Sequence, residues 1–264
     1  MHTEGYAAPA TKEAAQRAHR LIEEAQARGE APEDPLLLFS VLYAVWVANR
    51  VSFDGEAMRD LATQYLALAK KLNATAPLMI GHRLKAISLM CIGDIAGSRP
   101  HYDQALALYK PDEHRQLAMR FGQDHRPPTL THRALAMWLL GYPDAALADI
   151  EQALSDARQL GQAAGLMSAL YHAWFTVLLC GNYNQARALA HEFSFLADEK
   201  NLAGWHAPAK MQEGVLLGLT CQPTEAIHRI SAGMTHFRST GGTAWEPFFL
   251  TNLQYDISQP LTTQ

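Results

Sequence analysis

A six-residue punctuation recurs through this chain at a near-constant distance, and it limits the fold more than any single motif does. Gly181-Asn182-Tyr183-Asn184-Gln185-Ala186 stands forty residues after Gly141-Tyr142-Pro143-Asp144-Ala145-Ala146 and forty before Cys221-Gln222-Pro223-Thr224-Glu225-Ala226. A fourth copy, Gly93-Asp94-Ile95-Ala96-Gly97-Ser98, lies forty-eight residues before Gly141. Each copy closes one apolar run and opens another. Self-similarity at this period marks supersecondary units that cannot bury their apolar faces alone and must stack.

The units are helical. Valine occurs 6 times and isoleucine 9 times in 264 residues, whereas alanine and leucine abound. Strands favour β-branched side chains and helices favour alanine and leucine. The spacing predicts one helical-repeat domain over 1–264: an N-terminal helix at 10–30, five helical hairpins across 35–240 and a capping helix at 244–257. The hairpins are expected at 35–51/55–73, 76–93/98–110, 129–141/143–160, 163–180/183–200 and 205–220/223–239. In the first, Val51 falls where the turn glycine would stand. Five residues after each turn position lies a small residue, Ser98, Ala146, Ala186 or Ala226. Ala105 and Ala153 follow at twelve. Small side chains at such points let neighbouring helices approach closely.

The pattern G-x-[YP]-x-x-A resembles the tetratricopeptide repeat. That unit is about 34 residues long, so here the helices or their links are longer. HEAT or armadillo stacks, with periods of roughly 40 to 47, are the structural alternative. The expected fold class is all-α, a right-handed superhelix (α-α solenoid) of about five tetratricopeptide-like hairpins.

Composition excludes several functions. A net charge of -4 and a pI near 6.3 leave no general basic face for nucleic acid. Cys91, Cys180 and Cys221 are odd in number and too widely spaced for a metal knuckle or compact disulfide frame, so they read as small core residues in a reducing cytoplasm. No signal peptide is visible, and the longest apolar run, Leu36 to Ala48, is too short to span a bilayer. No phosphate loop, H-E-x-x-H, G-x-S-x-G or C-x-x-C occurs, so neither catalysis nor a cofactor is expected. His125 and His132, or His228 and His236, lack a cysteine or carboxylate to complete a metal set. Trp46, Trp138, Trp174, Trp205 and Trp245 fall one per first helix or cap and suit core packing.

The segment 111–133 breaks the period. Between 114 and 133 it holds four arginines, three histidines and a single acid, Asp124. Guanidinium forks suit phosphate and carboxylate. The sharper expectation is an anion or acidic-partner site from Arg115, Arg120, Arg126 and Arg133. The plainer one is that these arginines cover an inter-repeat loop and pair with acids on adjacent helices.

Several stretches carry a wider resemblance: Gly5-Tyr6-Ala7-Ala8-Pro9, Gln104-Ala105-Leu106-Ala107-Leu108-Tyr109, Glu113-His114-Arg115, Phe121-Gly122-Gln123-Asp124, and Trp138 through Ala148. Together they resemble the C-terminal tetratricopeptide-like region of large bacterial signalling ATPases, many with a class III adenylate/guanylate cyclase domain at their N-terminus. The resemblance covers most of residues 5 to 250. The cyclase metal carboxylates and nucleotide loop have no counterpart here, so neither activity carries over. Gln123 and Asp124, in its most specific motif, join the candidate binding residues. The implied function is a non-catalytic protein- or peptide-binding scaffold or sensor region, a regulatory arm for a cyclase/ATPase module. The alternative is a small-molecule sensor for a nucleotide or other anion near 111–133. The apolar residues Trp245, Pro247, Phe248, Phe249 and Leu250 leave a homodimer open.

Overall fold

The computed structural model describes residues 35–115, 124–220, 222–239 and 242–258, together with Glu13, Arg17, Arg20 and Glu24. Those four are helical and exposed at one helical spacing; the rest of the expected helix at 10–30 lies outside the described residues. Twelve helices are delimited: α1 Pro35–Val51, α2 Gly55–Lys71, α3 Thr75–Cys91, α4 Ile95–Leu108, α5 Pro111–His114, α6 Arg126–Leu139, α7 Pro143–Leu160, α8 Ala163–Leu179, α9 Tyr183–Glu199, α10 Ala203–Gly218, α11 Pro223–Ser239 and α12 Glu246–Ser258. No strand occurs among the described residues. The fold is an all-α, right-handed superhelix of tetratricopeptide-like hairpins.

Five hairpins form as α1/α2, α3/α4, α6/α7, α8/α9 and α10/α11. Each second helix also packs on the first helix of the next hairpin. First helices touch one another at α3–α6 and α6–α8, which makes them the inner layer of the stack.

The turns explain the punctuation. Gly93, Gly141 and Gly181 have φ of 88°, 88° and 78°, a left-handed conformation that strains any residue with a Cβ. In the first hairpin this place belongs to Phe53, with φ of 56°, forty residues before Gly93. Val51 is the last residue of α1, so the sequence register of that turn was two residues short. A non-glycine residue here costs about 1 kcal/mol. Cys221, the corresponding residue of the last hairpin, lies outside the described residues.

Ser98, Ala146, Ala186 and Ala226 are all fully buried, as is Met58 at the same place in the first hairpin. Twelve residues past each turn stand, in chain order, Tyr65, Ala105, Ala153 and Phe193, all buried. Gly233 holds this place in α11. A Cβ there would lie 2.6 Å from Met211 Cγ and 3.0 Å from the Ala207 carbonyl oxygen. Cys91 and Cys180 are free and only half-buried.

Two apolar cores run along the stack. One spans α1 to α4, the other α7 to α12, and they meet in α6: Ala136 belongs to the first and Ala134 to the second. The aromatics around 245–250 face the second core. Trp245 stacks on Phe175 at 4.0 Å and Phe249 is fully buried.

α6 begins at Arg126, three residues before the expected 129, with Pro127 and Pro128 in its first turn. Proline lacks an N–H, and first-turn N–H groups have no intrahelical acceptor, so the pair starts the helix instead of breaking it. The chain between α4 and α6 is correspondingly shorter than 111–133, and it contains the single-turn helix α5.

The two ends of the array touch. Thr243 and Ala244 donate backbone N–H bonds to the Val51 carbonyl, at 3.1 and 3.3 Å. The last residue of α1 is thereby tied to the segment leading into α12.

Gly233→Ala is expected to lower stability by about 1 kcal/mol, because overpacking against the backbone of α10 outweighs alanine's better helix propensity. Phe53→Gly should be neutral or slightly stabilising. Chemical denaturation of both variants checks the pair; a stabilised Gly233→Ala would contradict the close packing of α10 on α11.

Candidate functional site

The arginines of 111–133 do not converge. Arg133, in the middle of α6, holds both Asp149 oxygens at 2.8 and 2.7 Å and reaches Asp103 at 2.9 Å. One face of α6 therefore pins α4 and α7 together. Arg126 pairs with Asp156. Asp149 and Asp156 are two turns apart on α7, as Arg126 and Arg133 are on α6, so the antiparallel helices carry two matched rungs. Arg115 is exposed beside the Tyr109 hydroxyl. Asp124 is only 3% exposed. It accepts from the Tyr109 hydroxyl at 2.7 Å and from the Arg126 N–H at 2.8 Å, which fixes the entry into α6. Burial, then the bond to Asp124, pushes the Tyr109 phenol well above its usual range. Arg120 and Gln123 lie outside the described residues.

A different cluster gathers on the inner layer. Arg50, one residue from the end of α1, directs Nη2 at His132 Nε2 on α6 (2.9 Å) and at His172 Nε2 on α8 (2.7 Å). The opposite ring nitrogens settle the tautomers. His132 Nδ1 lies 2.6 Å from the Pro128 carbonyl and His172 Nδ1 lies 2.7 Å from the Ser168 carbonyl. Each Nδ1–H donates to a carbonyl one turn back, so each Nε2 presents a lone pair to the guanidinium. The two rings sit 4.4 Å apart. Arg83 on α3 is 2% exposed and places Nη1 3.3 Å from His125 Nδ1.

Burial is the largest influence on all three histidines. It drives His125 and His132 well below the ordinary imidazole value and His172 down to about 3. The neighbouring guanidiniums push the same way. Burial, and then repulsion from Arg83, lowers Arg50. The imidazoles are therefore neutral at pH 7, and His132 and His172 act as acceptors that hold Arg50 in place.

The sequence holds one signal of this cluster. His132 and His172 are separated by one repeat, and Gln212 stands one repeat further on. Gln212 is fully buried on α10 and donates to the Tyr171 carbonyl at 3.2 Å; its Oε1 has no partner. A polar side chain returning at the repeat period on the inner helices marks a buried polar seam along them. Among the described residues, no group of three metal-ligating side chains forms, and no helix is long and apolar enough to cross a membrane.

No protein-family model matches this chain, and no curated protein matches it. Among solved structures, it is similar to a Rap protein complexed with competence and sporulation factor. The TM-score is 0.58 at 14% identity, covering 89% of this chain and 68% of that one. The likeness is one of fold, and it extends over nearly all of the stack.

A histidine whose folded-state pKa is depressed leaves the native state binding fewer protons than the unfolded chain below the unfolded value near 6.5. Stability is then complete above that value and falls as pH drops toward about 3 for His172. The slope is about 1.4 kcal/mol per pH unit for each such residue. Thermal melts should show the midpoint falling from pH 6.5 to 5. His172→Gln, which keeps an acceptor for Arg50 but cannot titrate, should fall less steeply.

Proposed function

We propose that this chain is a non-catalytic helical-repeat module that binds a protein or peptide partner along its inner layer. One observation carries the reading: buried polar side chains recur there at the repeat period, at His132, His172 and Gln212. A stack that needed only to cohere would place apolar residues at these positions. The similarity in fold to a Rap protein bound to a competence and sporulation factor supports it. So does the general use of solenoid inner surfaces for binding. In this reading the whole chain is one cytoplasmic repeat domain.

The partner we favour is a cyclase or P-loop ATPase module, following the resemblance carried by Gly122-Gln123-Asp124 and Trp138 through Ala148. Coding DNA flanking this chain in its source genome is expected to encode such domains, in frame or adjacent. Titration calorimetry of the purified modules against the chain should give saturable binding that weakens at least tenfold in Gln212→Leu. No heat with either module removes the cyclase/ATPase assignment; binding unaffected by Gln212→Leu removes the inner layer as its seat.

The second reading is an anion sensor near 111–133. Exposed Arg115 favours it, since Arg126 and Arg133 are already paired with carboxylates. Stabilisation by a nucleotide that is lost in both Arg115→Ala and Arg120→Ala would support it.

A further inference from the structure

Stacking fixes where the turns go. First helices run one way along the stack and second helices the other, so the turns inside the five hairpins share one edge. Six of the ten large apolar side chains left exposed among the described residues stand there. They are Phe53, Ile92, Leu139, Tyr142, Tyr183 and Leu219, between 36% and 51% exposed. Every hairpin supplies at least one. Scattered exposed apolar residues are ordinary, but their return in each hairpin along one edge makes a patch.

The patch continues from turn to turn. A Cβ on Gly55, in the first hairpin, would stand 2.7 Å from Ile92 Cγ2 in the second. The Arg99 guanidinium of the second hairpin lies over the Tyr142 ring of the third, 5.4 Å from its centroid. Between the third and fourth, α8 packs on α7. Arg187, one helical turn past Tyr183, lines a groove of about 540 Å³ together with Thr220 and Gln222 of the fifth hairpin's turn.

The charge along this edge has one sign. Segments 52–56, 92–96, 140–144, 180–184 and 219–225 hold five acids and no lysine, arginine or histidine. Glu56 and Glu225 are matched by Arg59 and Arg229. Asp54, Asp94 and Asp144 are exposed and form no ion pair among the described residues. Asp54 and Asp94 each spend one oxygen on a backbone N–H, of Ala57 and Gly97.

We propose that this edge docks a basic amphipathic segment of a partner protein. Its apolar side chains would lie on the row from Phe53 to Leu219, and its lysines or arginines would face Asp54, Asp94 and Asp144. Arg99 over Tyr142 shows the contact such a cation makes with an exposed ring. A second copy of this chain would set the same aspartates against one another, and an anionic membrane surface would repel them. The edge uses none of the buried inner-layer residues, so it stands or falls apart from them.

Fluorescence anisotropy of the full chain with a labelled leucine-lysine amphipathic peptide tests this. Binding should saturate and weaken as salt rises, and a leucine-glutamate peptide of the same pattern should not bind. Asp54→Asn, Asp94→Asn and Asp144→Asn combined should weaken binding about tenfold. Asparagine caps a helix as well as aspartate does, so the fold is kept. Tyr142→Ser with Tyr183→Ser, both at exposed positions, should also weaken it about tenfold. Leu72→Ser, an exposed apolar position at the opposite edge, should bind as the parent does. The proposal is overturned if the leucine-glutamate peptide binds equally, if either combined variant keeps the parent's affinity, or if Leu72→Ser loses it. A dimer in light scattering that Tyr142→Ser with Tyr183→Ser disperses would give the edge to a second copy instead.

Discussion

A hairpin of two helices about seventeen residues long has apolar residues on more faces than its partner arm can cover. In α8, for instance, eleven of the twelve positions from Met167 to Leu178 are buried against neighbours on several sides. Stacking follows from that, and so does the need for small residues at the points of closest approach. The arrangement also makes α6 decisive. Among the described helices it alone contributes to both cores, through Ala134 and Ala136, and it follows the irregular spacing in the repeat. The Arg133 bonds to Asp103 and Asp149 and the Arg126 pair with Asp156 hold α6 where the two halves join.

Electrostatics divides the arginines into two kinds. Arg59, Arg99, Arg158, Arg229 and Arg238 on the outer helices, and Arg126 and Arg133 on the flank of α6, meet carboxylates and are partly solvated, so their ion pairs contribute modestly. Arg50 and Arg83 are turned inward and meet only neutral imidazoles. An imidazole acceptor satisfies hydrogen bonding but offers no counter-charge, so the inner layer keeps a positive potential within a chain that is negative overall.

Much of the architecture was legible in the sequence. Gly93, Gly141 and Gly181 announced the turns because only glycine takes a left-handed φ without strain, and the helices between them fell within a few residues of their expected ends. Phe53 hid the first turn because strain there is tolerated instead of avoided, and nothing in the residue type reports it. Pro127 and Pro128 read as loop in the sequence because proline gives the same local signal whether it starts a helix or precludes one. The site was harder. Residue composition drew attention to 111–133, where arginines are dense, but density says nothing about pairing, and Asp149 and Asp156 lie in the next helix. The Arg50 cluster joins residues 82 and 122 positions apart. Only the superhelical path brings them together, and that path depends on how each hairpin rotates against the last.

The bonds from Thr243 and Ala244 to Val51 change the kind of object this stack is. An open solenoid is a chain of nearest neighbours, which can fray from either end or nucleate anywhere along its length. Here the first and last hairpins are fastened to each other, so loosening one end withdraws support from the other. Melting becomes closer to all-or-none, and folding carries the entropic burden of joining segments nearly two hundred residues apart.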